Sequence, residues 1–179
     1  MERRIEQELE SLKGLLLTMA GEVERQLQLA VQAVVERDNA AATAVIAGDA
    51  GIDQREIEVD RRIIELIVRE QPLARDLRLV ITAGKIAPDL ERVADHAVNI
   101  AEQALILNRY PPLKPFLIMP RMARVATEMV RESITAFVNG DAARAREVVA
   151  RDDEVDALHE EVFRELLTYM MEDARTIPR

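Results

Sequence analysis

The 179-residue sequence contains no cysteine and no tryptophan, and it has only three phenylalanines and two tyrosines. The absence of cysteine excludes disulfides, thiolate metal sites and cysteine nucleophiles. Yet 49% of the residues are apolar, so a core has to be built mainly from Ala, Leu, Ile and Val. With so few residues that favour strands, this composition favours packed helices over a sheet.

Long apolar runs are also missing. No stretch approaches the roughly 20 apolar residues of a membrane span, and the N-terminal sequence MERRIEQELE is too charged for a secretory signal. We therefore expect a cytoplasmic protein that reaches a membrane only through a partner. Basic residues are in deficit, with 24 against 33 acidic residues and a net charge of -9, so a nucleic acid is not an expected partner.

Apolar residues spaced by three and four predict a first helix that ends near Arg37. Its predicted apolar face contains Ile5, Leu9, Leu12, Leu16, Met19, Val23, Leu27, Ala30 and Val34. Asp38 and Asn39 are suitable caps for a second helix over residues 40–71. Pro72 predicts a turn into a third helix over residues 73–108, which Pro88 should kink.

Four of the seven prolines fall within residues 111–120, which predicts a linker at about 108–120. Beyond it the sequence repeats itself at an offset of 103 residues, the difference between Met19 and Met122. Asp38 aligns with Asp141 at this offset. We interpret the pattern as an internal duplication, with one unit over residues 1–110 and a second over residues 111–179.

The predicted fold is all-α, with tandem three-helix bundles of which the second lacks its third helix. The second unit has helices predicted at about 121–139 and 142–172, and Pro72 projects onto Arg175. A helix equivalent to the third would begin there, whereas the chain ends at Arg179. We expect either a longer parent protein or another chain that supplies this helix.

Acidic residues follow one another along the second and third helices. Asp49 and Asp53 are four residues apart, as are Glu91 and Asp95, and such pairs share a helix face. In an antiparallel hairpin that turns at Pro72, the two pairs lie at the same height. This predicts a patch of four carboxylates suited to a hard or borderline cation. The alternative is a set of ordinary solvated helix faces.

The sequence offers little for catalysis. His96 points away from Asp95 around the helix, and His159 has no partner motif, so the paired Glu-x-x-His pattern of di-iron bundles is missing. No phosphate-binding glycine loop or nucleophile elbow is present. We therefore predict that the protein is not an enzyme.

Two segments resemble a known family. QPLARDLRLVITAGKIAPDLERVADHAVNIAE and RELLTYMMEDARTI, in this order, are similar to the PhoU family of phosphate-signalling regulators. The resemblance implies two tandem three-helix bundles, which often dimerise. It also implies an adaptor between the ATPase of the phosphate ABC transporter and a sensor histidine kinase, which keeps the phosphate-starvation response off when phosphate is plentiful.

The resemblance further implies metal ions, such as iron, zinc, Mn or Mg, on E/DxxxD motifs. These motifs correspond to Glu91 and Asp95, with Asp49 and Asp53 as the facing pair. In the second unit only Asp152 and Asp156 remain. A helical interaction module without a metal is the alternative function.

Overall fold

The computed structural model describes residues 2–112 and 116–177, which form six α-helices and one short 3₁₀ turn and confirm the all-α class. The helices are α1 (Glu2–Val35), α2 (Asn39–Glu70), α3 (Ala74–Leu107), α4 (Met119–Asn139), α5 (Ala142–Ala150) and α6 (Asp152–Glu172). Within these ranges, no helix combines the length and the apolar character needed to cross a bilayer.

The turn between α1 and α2 forms as its sequence indicates. Asp38 Oδ1 accepts hydrogen bonds from the backbone N–H groups of Ala40 at 2.8 Å and Ala41 at 3.0 Å, which confirms the predicted cap. Arg37 adopts the left-handed backbone conformation at a φ of 59°. Its guanidinium donates to the carbonyl oxygen atoms of Asn108 and Tyr110 and thereby joins this turn to the end of α3.

The helices α2 and α3 form the expected hairpin around Pro72. The preceding residue, Gln71, ends α2 in the left-handed conformation, and α3 packs against both α1 and α2. Helix α3 continues through Pro88 as one element. Leu77, in the first turns of α3, is exposed although it is apolar.

The apolar core of these three helices is divided into two clusters. One contains Val23, Ile52 and Ala94, and the other begins at Ala30, Val45 and Ala97. Between the clusters lie a buried polar residue of α1, Gln26, and the segments of α2 and α3 that carry acids. The prediction placed Leu27 on the apolar face of α1 and did not place Gln26 there. In the structure Gln26 is the buried residue and Leu27 is only half-buried.

The second unit shares the core of the first. Helix α4 packs along α1, and Ile134 of α4 belongs to the larger apolar cluster. Part of the predicted 108–120 linker, residues 113–115, lies outside the described residues. Asp141 caps α5 through hydrogen bonds from the N–H groups of Ala143 and Arg144, as Asp38 caps α2. The two caps agree with the predicted duplication.

One predicted helix is interrupted. Residues 142–172 form α5 and α6 instead of a single helix, with the break at Arg151. The Arg151 guanidinium donates to Glu128 at 2.8 Å and lies 3.6 Å from Glu132, so both of its ionic partners are on α4. The residue at the break is therefore held by a contact with α4. Helical periodicity in the sequence does not reveal such a contact between helices.

Candidate functional site

The four carboxylates predicted to meet on the hairpin lie on facing turns of α2 and α3. Asp49, Asp53 and Glu91 are half-buried, and Asp95 is exposed. Their charges act on one another across the two helices, since Asp49 is influenced by Asp95 and Glu91 by Asp53. The hairpin geometry expected from the equal distances to Pro72 is therefore present.

The electrostatics of this patch disfavour four negative charges. Burial raises the pKa of the Asp49 carboxyl above its usual range, and the charges of Asp53 and Asp95 raise it further. Burial also raises the pKa of Glu91, and the charge of Asp95 is the next largest cause. A cation or a proton at this position would relieve the repulsion.

One oxygen atom in the patch has no partner. Asp49 Oδ1 is buried and forms no hydrogen bond within the described structure. A buried carboxylate oxygen without a donor costs free energy, on the order of 1–3 kcal/mol or more. An unmet acceptor in an all-oxygen environment is suited to a hard cation or to a protonated neighbour.

The arrangement does not yet form a coordination sphere. Among the described residues, no three His, Asp or Glu side chains are grouped closely enough to hold one metal ion. These side chains would have to come closer together to form a set of ligands. The residue types and the unpartnered oxygen atom fit a metal, whereas the present rotamers leave the ligands apart.

The acids carried over to the second unit occupy a different environment. Asp152 and Asp156 are exposed on α6, and Asp152 lies in its first turn together with Asp153 and Glu154. Negative charge is favourable at the N-terminal end of a helix. The structure does not bring these two residues to the α2–α3 patch.

Two further residues belong to this region: Glu56, which the sequence places in the same acidic row of α2 as Asp49 and Asp53, and Gln26, which sequence reasoning left out. Glu56 is one of the acids whose charge raises the pKa of Glu91, and its place in the acidic row of α2 was a usable signal. Gln26 is 5% exposed and its Oε1 atom is a second buried acceptor without a partner. Its spacing of three from Val23 and four from Ala30 was the signal that this polar residue stands at a core position.

The two histidines line one cavity. An apolar cavity of about 1130 Å³ between α3, the linker and α6 includes His96 and His159 in its wall, together with Ile100, Phe116 and Leu166. Spacing along the chain did not indicate this proximity, because the two residues belong to different predicted units. Neither histidine is among the residues whose charges raise the pKa of Asp49 or Glu91.

Comparisons with known proteins agree on one family. The model described as "PhoU domain" matches residues 16–104 and 119–178. A PhoU homolog of Aquifex aeolicus, named a phosphate-specific transport system accessory protein, is 41% identical over 172 residues, which cover 96% of this chain and 78% of that protein. The protein of the same name from Escherichia coli K12 is 36% identical, with 96% of this chain and 71% of the relative covered.

A solved structure shows the same fold. The crystal structure of PhoU from Pseudomonas aeruginosa superposes with a TM-score of 0.90 at 36% sequence identity. The superposition covers 97% of this chain and 84% of that one. The similarity therefore extends over both units and includes the hairpin that carries the four acids.

Proposed function

The chain belongs to the PhoU family, and from this premise we propose that it is an accessory regulator of phosphate-specific transport. Its relatives are named accessory or regulatory proteins of that system, so a non-enzymatic role is assigned to this chain as well. The absence of a catalytic motif from its sequence agrees with this assignment.

The proposed role is that of a cytoplasmic adaptor. The protein contacts the ATPase of the phosphate ABC transporter and a sensor histidine kinase, and it keeps the starvation response off when phosphate is plentiful. It acts as a homodimer and associates with the membrane through these partners. Support comes from the family, from the helical fold and from the net charge of -9.

The proposed adaptor binds a metal ion at Asp49, Asp53, Glu91 and Asp95. The observation that carries this proposal is the unpartnered Asp49 Oδ1 within a patch whose mutual repulsion raises the pKa of two members. An iron, zinc, Mn or Mg ion would neutralise the patch and hold α2 and α3 together at the level where the apolar core is divided. Asp152 and Asp156 remain a separate candidate site on α6.

Metal analysis tests the site. Protein purified without chelator or nickel resin is expected to carry metal in wild type and to lose most of it in the Asp49→Ala, Glu91→Ala double variant. Added Mn²⁺ or Fe²⁺ should raise the melting temperature of wild type but not that of this double variant. A double variant with Asp60→Asn and Glu102→Gln removes two exposed acids of the same helices and should retain the metal.

The alternative function is a helical interaction module without a metal. It predicts equally little metal in wild type and in both double variants, and identical melting with or without added ions. Partner binding that is sensitive to salt and survives the Asp49→Ala, Glu91→Ala change would favour this alternative.

A further inference from the structure

The outer face of the α2–α3 hairpin, which is turned away from α1, exposes several large apolar side chains. On α2 they are Ile57, Ile64 and Val68. Leu73 directly precedes α3, and Leu77 and Ile81 lie on α3. Val68 is 68% exposed and Leu73 is 79% exposed. Single exposed apolar residues are ordinary, whereas six on one hairpin form a candidate contact surface.

On α3 the apolar residues share a helix face with the acids. Leu77, Ile81, Gly84, Pro88, Glu91 and Asp95 follow one another at alternating spacings of four and three, which keeps them on one side of the helix. Gly84 and Pro88 are exposed and contribute little side chain to the middle of this row. The row is therefore apolar near the turn and acidic at the far end, and between these ends it has only small side chains.

Helix α2 provides a second, mixed row. Ile57 follows Asp53 by four residues, and Ile64 follows Asp60 by four. The acids of this row reach α3, since the charge of Asp53 acts on Glu91. The two rows therefore border one surface, which we call the hairpin face: Ile57, Asp60, Ile64 and Val68 of α2, Leu73 of the turn, Leu77 and Ile81 of α3, and the four acids.

We propose that, when no metal occupies the four acids, the hairpin face docks one amphipathic helix of a partner protein, with apolar residues against the end near Pro72 and Lys or Arg against the four acids. The row from Leu77 to Asp95 corresponds to about 27 Å of helix, so a partner helix of about five turns would cover it. This proposal rests on the proposed adaptor function and assigns a partner chemistry to the same acidic patch.

The charge of the face selects this occupant. Basic side chains would pair with the like charges that α2 and α3 bring together in this patch, of which Asp95 is exposed and Asp49, Asp53 and Glu91 are half-buried. A second copy of this chain has a net charge of -9 and would bring more negative charge to the patch. An anionic membrane surface is repelled for the same reason.

Peptide binding to the full chain, dialysed against chelator, tests the proposal. The probe is a labelled 18-residue helical peptide with Leu on one face of one half and Lys on the same face of the other half. A charge-reversed peptide carries Glu for Lys, and a permuted peptide distributes the same Leu and Lys evenly. We expect the probe to bind at least tenfold more tightly than either control peptide and to weaken with added salt.

Variants locate the binding site. Ile64→Gln with Ile81→Gln should weaken the probe at least tenfold, and Asp53→Asn with Asp95→Asn should remove most of the salt dependence. Val149→Gln changes a 75% exposed side chain on α5 and should leave binding unchanged. All of the substituted side chains except that of Asp53 are exposed, and circular dichroism melts confirm that each variant is folded.

Several outcomes would overturn the proposal. Equal binding of the three peptides contradicts it, and so does binding that the two apolar substitutions leave intact. A dimer in sedimentation velocity that is lost in the Ile64→Gln, Ile81→Gln variant would make a second copy the occupant instead. Peptide binding is measured without metal, so the two proposals can fail separately. Loss of peptide binding alone contradicts the docking proposal, and absence of metal alone contradicts the metal proposal.

Discussion

At the scale of single residues, the two glycines of α2 differ in their surroundings. Both lower the stability of the helix, but only one of them makes room for a side chain of another helix. A Cβ atom at Gly48 would lie 3.0 Å from Nε2 of Gln26, whereas a Cβ at Gly51 would meet nothing within 4 Å. Glycine inside a helix costs up to about 1 kcal/mol relative to alanine. Only at Gly48 does the buried amide of a neighbouring helix account for that cost.

The two glycines therefore respond differently to alanine. Gly51→Ala should raise the free energy of unfolding by about 0.5–1 kcal/mol through helix propensity alone. Gly48→Ala should gain less or be destabilising, because Gln26 is packed in the core and has little room to move. Urea unfolding of both variants checks this, and equal stabilisation would show that Gln26 adapts freely.

The raised pKa of Asp49 gives a prediction with a definite sign. A carboxyl whose pKa is higher in the folded state binds more protons when folded, so it reduces stability as the pH rises through that pKa. Chelated Asp49→Asn protein should therefore melt about 1–3 °C above wild type at pH 7, a shift of the order expected for relief of like-charge contacts. The gain should shrink toward pH 4.

The matched control for this change is Asp60→Asn. Asp60 is an exposed acid of the same helix, and it is not among the charges that raise the pKa of Asp49 or Glu91. Its substitution should shift the melting temperature less. A lower melting temperature for Asp49→Asn in chelated protein would contradict the inferred repulsion.

At the scale of elements, the two aspartate caps begin helices that differ in length and in the number of buried residues. Asp38 begins a 32-residue helix that contributes to both apolar clusters, while Asp141 begins a nine-residue helix with one buried residue, Val148. Each side chain accepts two backbone hydrogen bonds at the start of its helix. The two helix starts therefore share the same local hydrogen bonds, as the predicted duplication implies, while the packing around them differs.

Removal of each cap should therefore be detected by different measurements. Asp38→Ala should lower the global free energy of unfolding by about 1 kcal/mol. Asp141→Ala should mainly speed hydrogen exchange in α5, because a short, exposed helix opens locally. Mass-resolved hydrogen exchange and urea unfolding distinguish the two, and an equal global loss would show that α5 unfolds with the whole chain.

At the scale of the whole molecule, Ile134 connects the two units. It is 5% exposed and lies in the same apolar cluster as residues of α1, α2 and α3. Because α4 contributes to this cluster, the units should unfold together instead of as separate domains.

Truncation at this position tests the shared core. Ile134→Ala should cost about 2–4 kcal/mol, and calorimetry should show one transition at a lower temperature. Val149→Ala, on the exposed side of α5, should have little effect. Two separated transitions in wild type would contradict a shared core.

The sequence by itself determined the helical class, most helix ends, the cap at Asp38 and the facing of Asp49 and Asp53 with Glu91 and Asp95. These features depend on spacing within one helix or on the distance to one turn, and both can be read along the chain. The third helix predicted for the second unit, the metal ion and its ligands stay predictions.

Only the tertiary structure decided where Gln26 lies, where the chain breaks at Arg151 and that His96 and His159 share a cavity. In each case the deciding partner is on another helix: Gly48 on α2, Glu128 on α4 and the wall formed by α3 with α6. Contacts between helices distant in sequence depend on how the helices pack, and periodicity along one helix does not specify that packing.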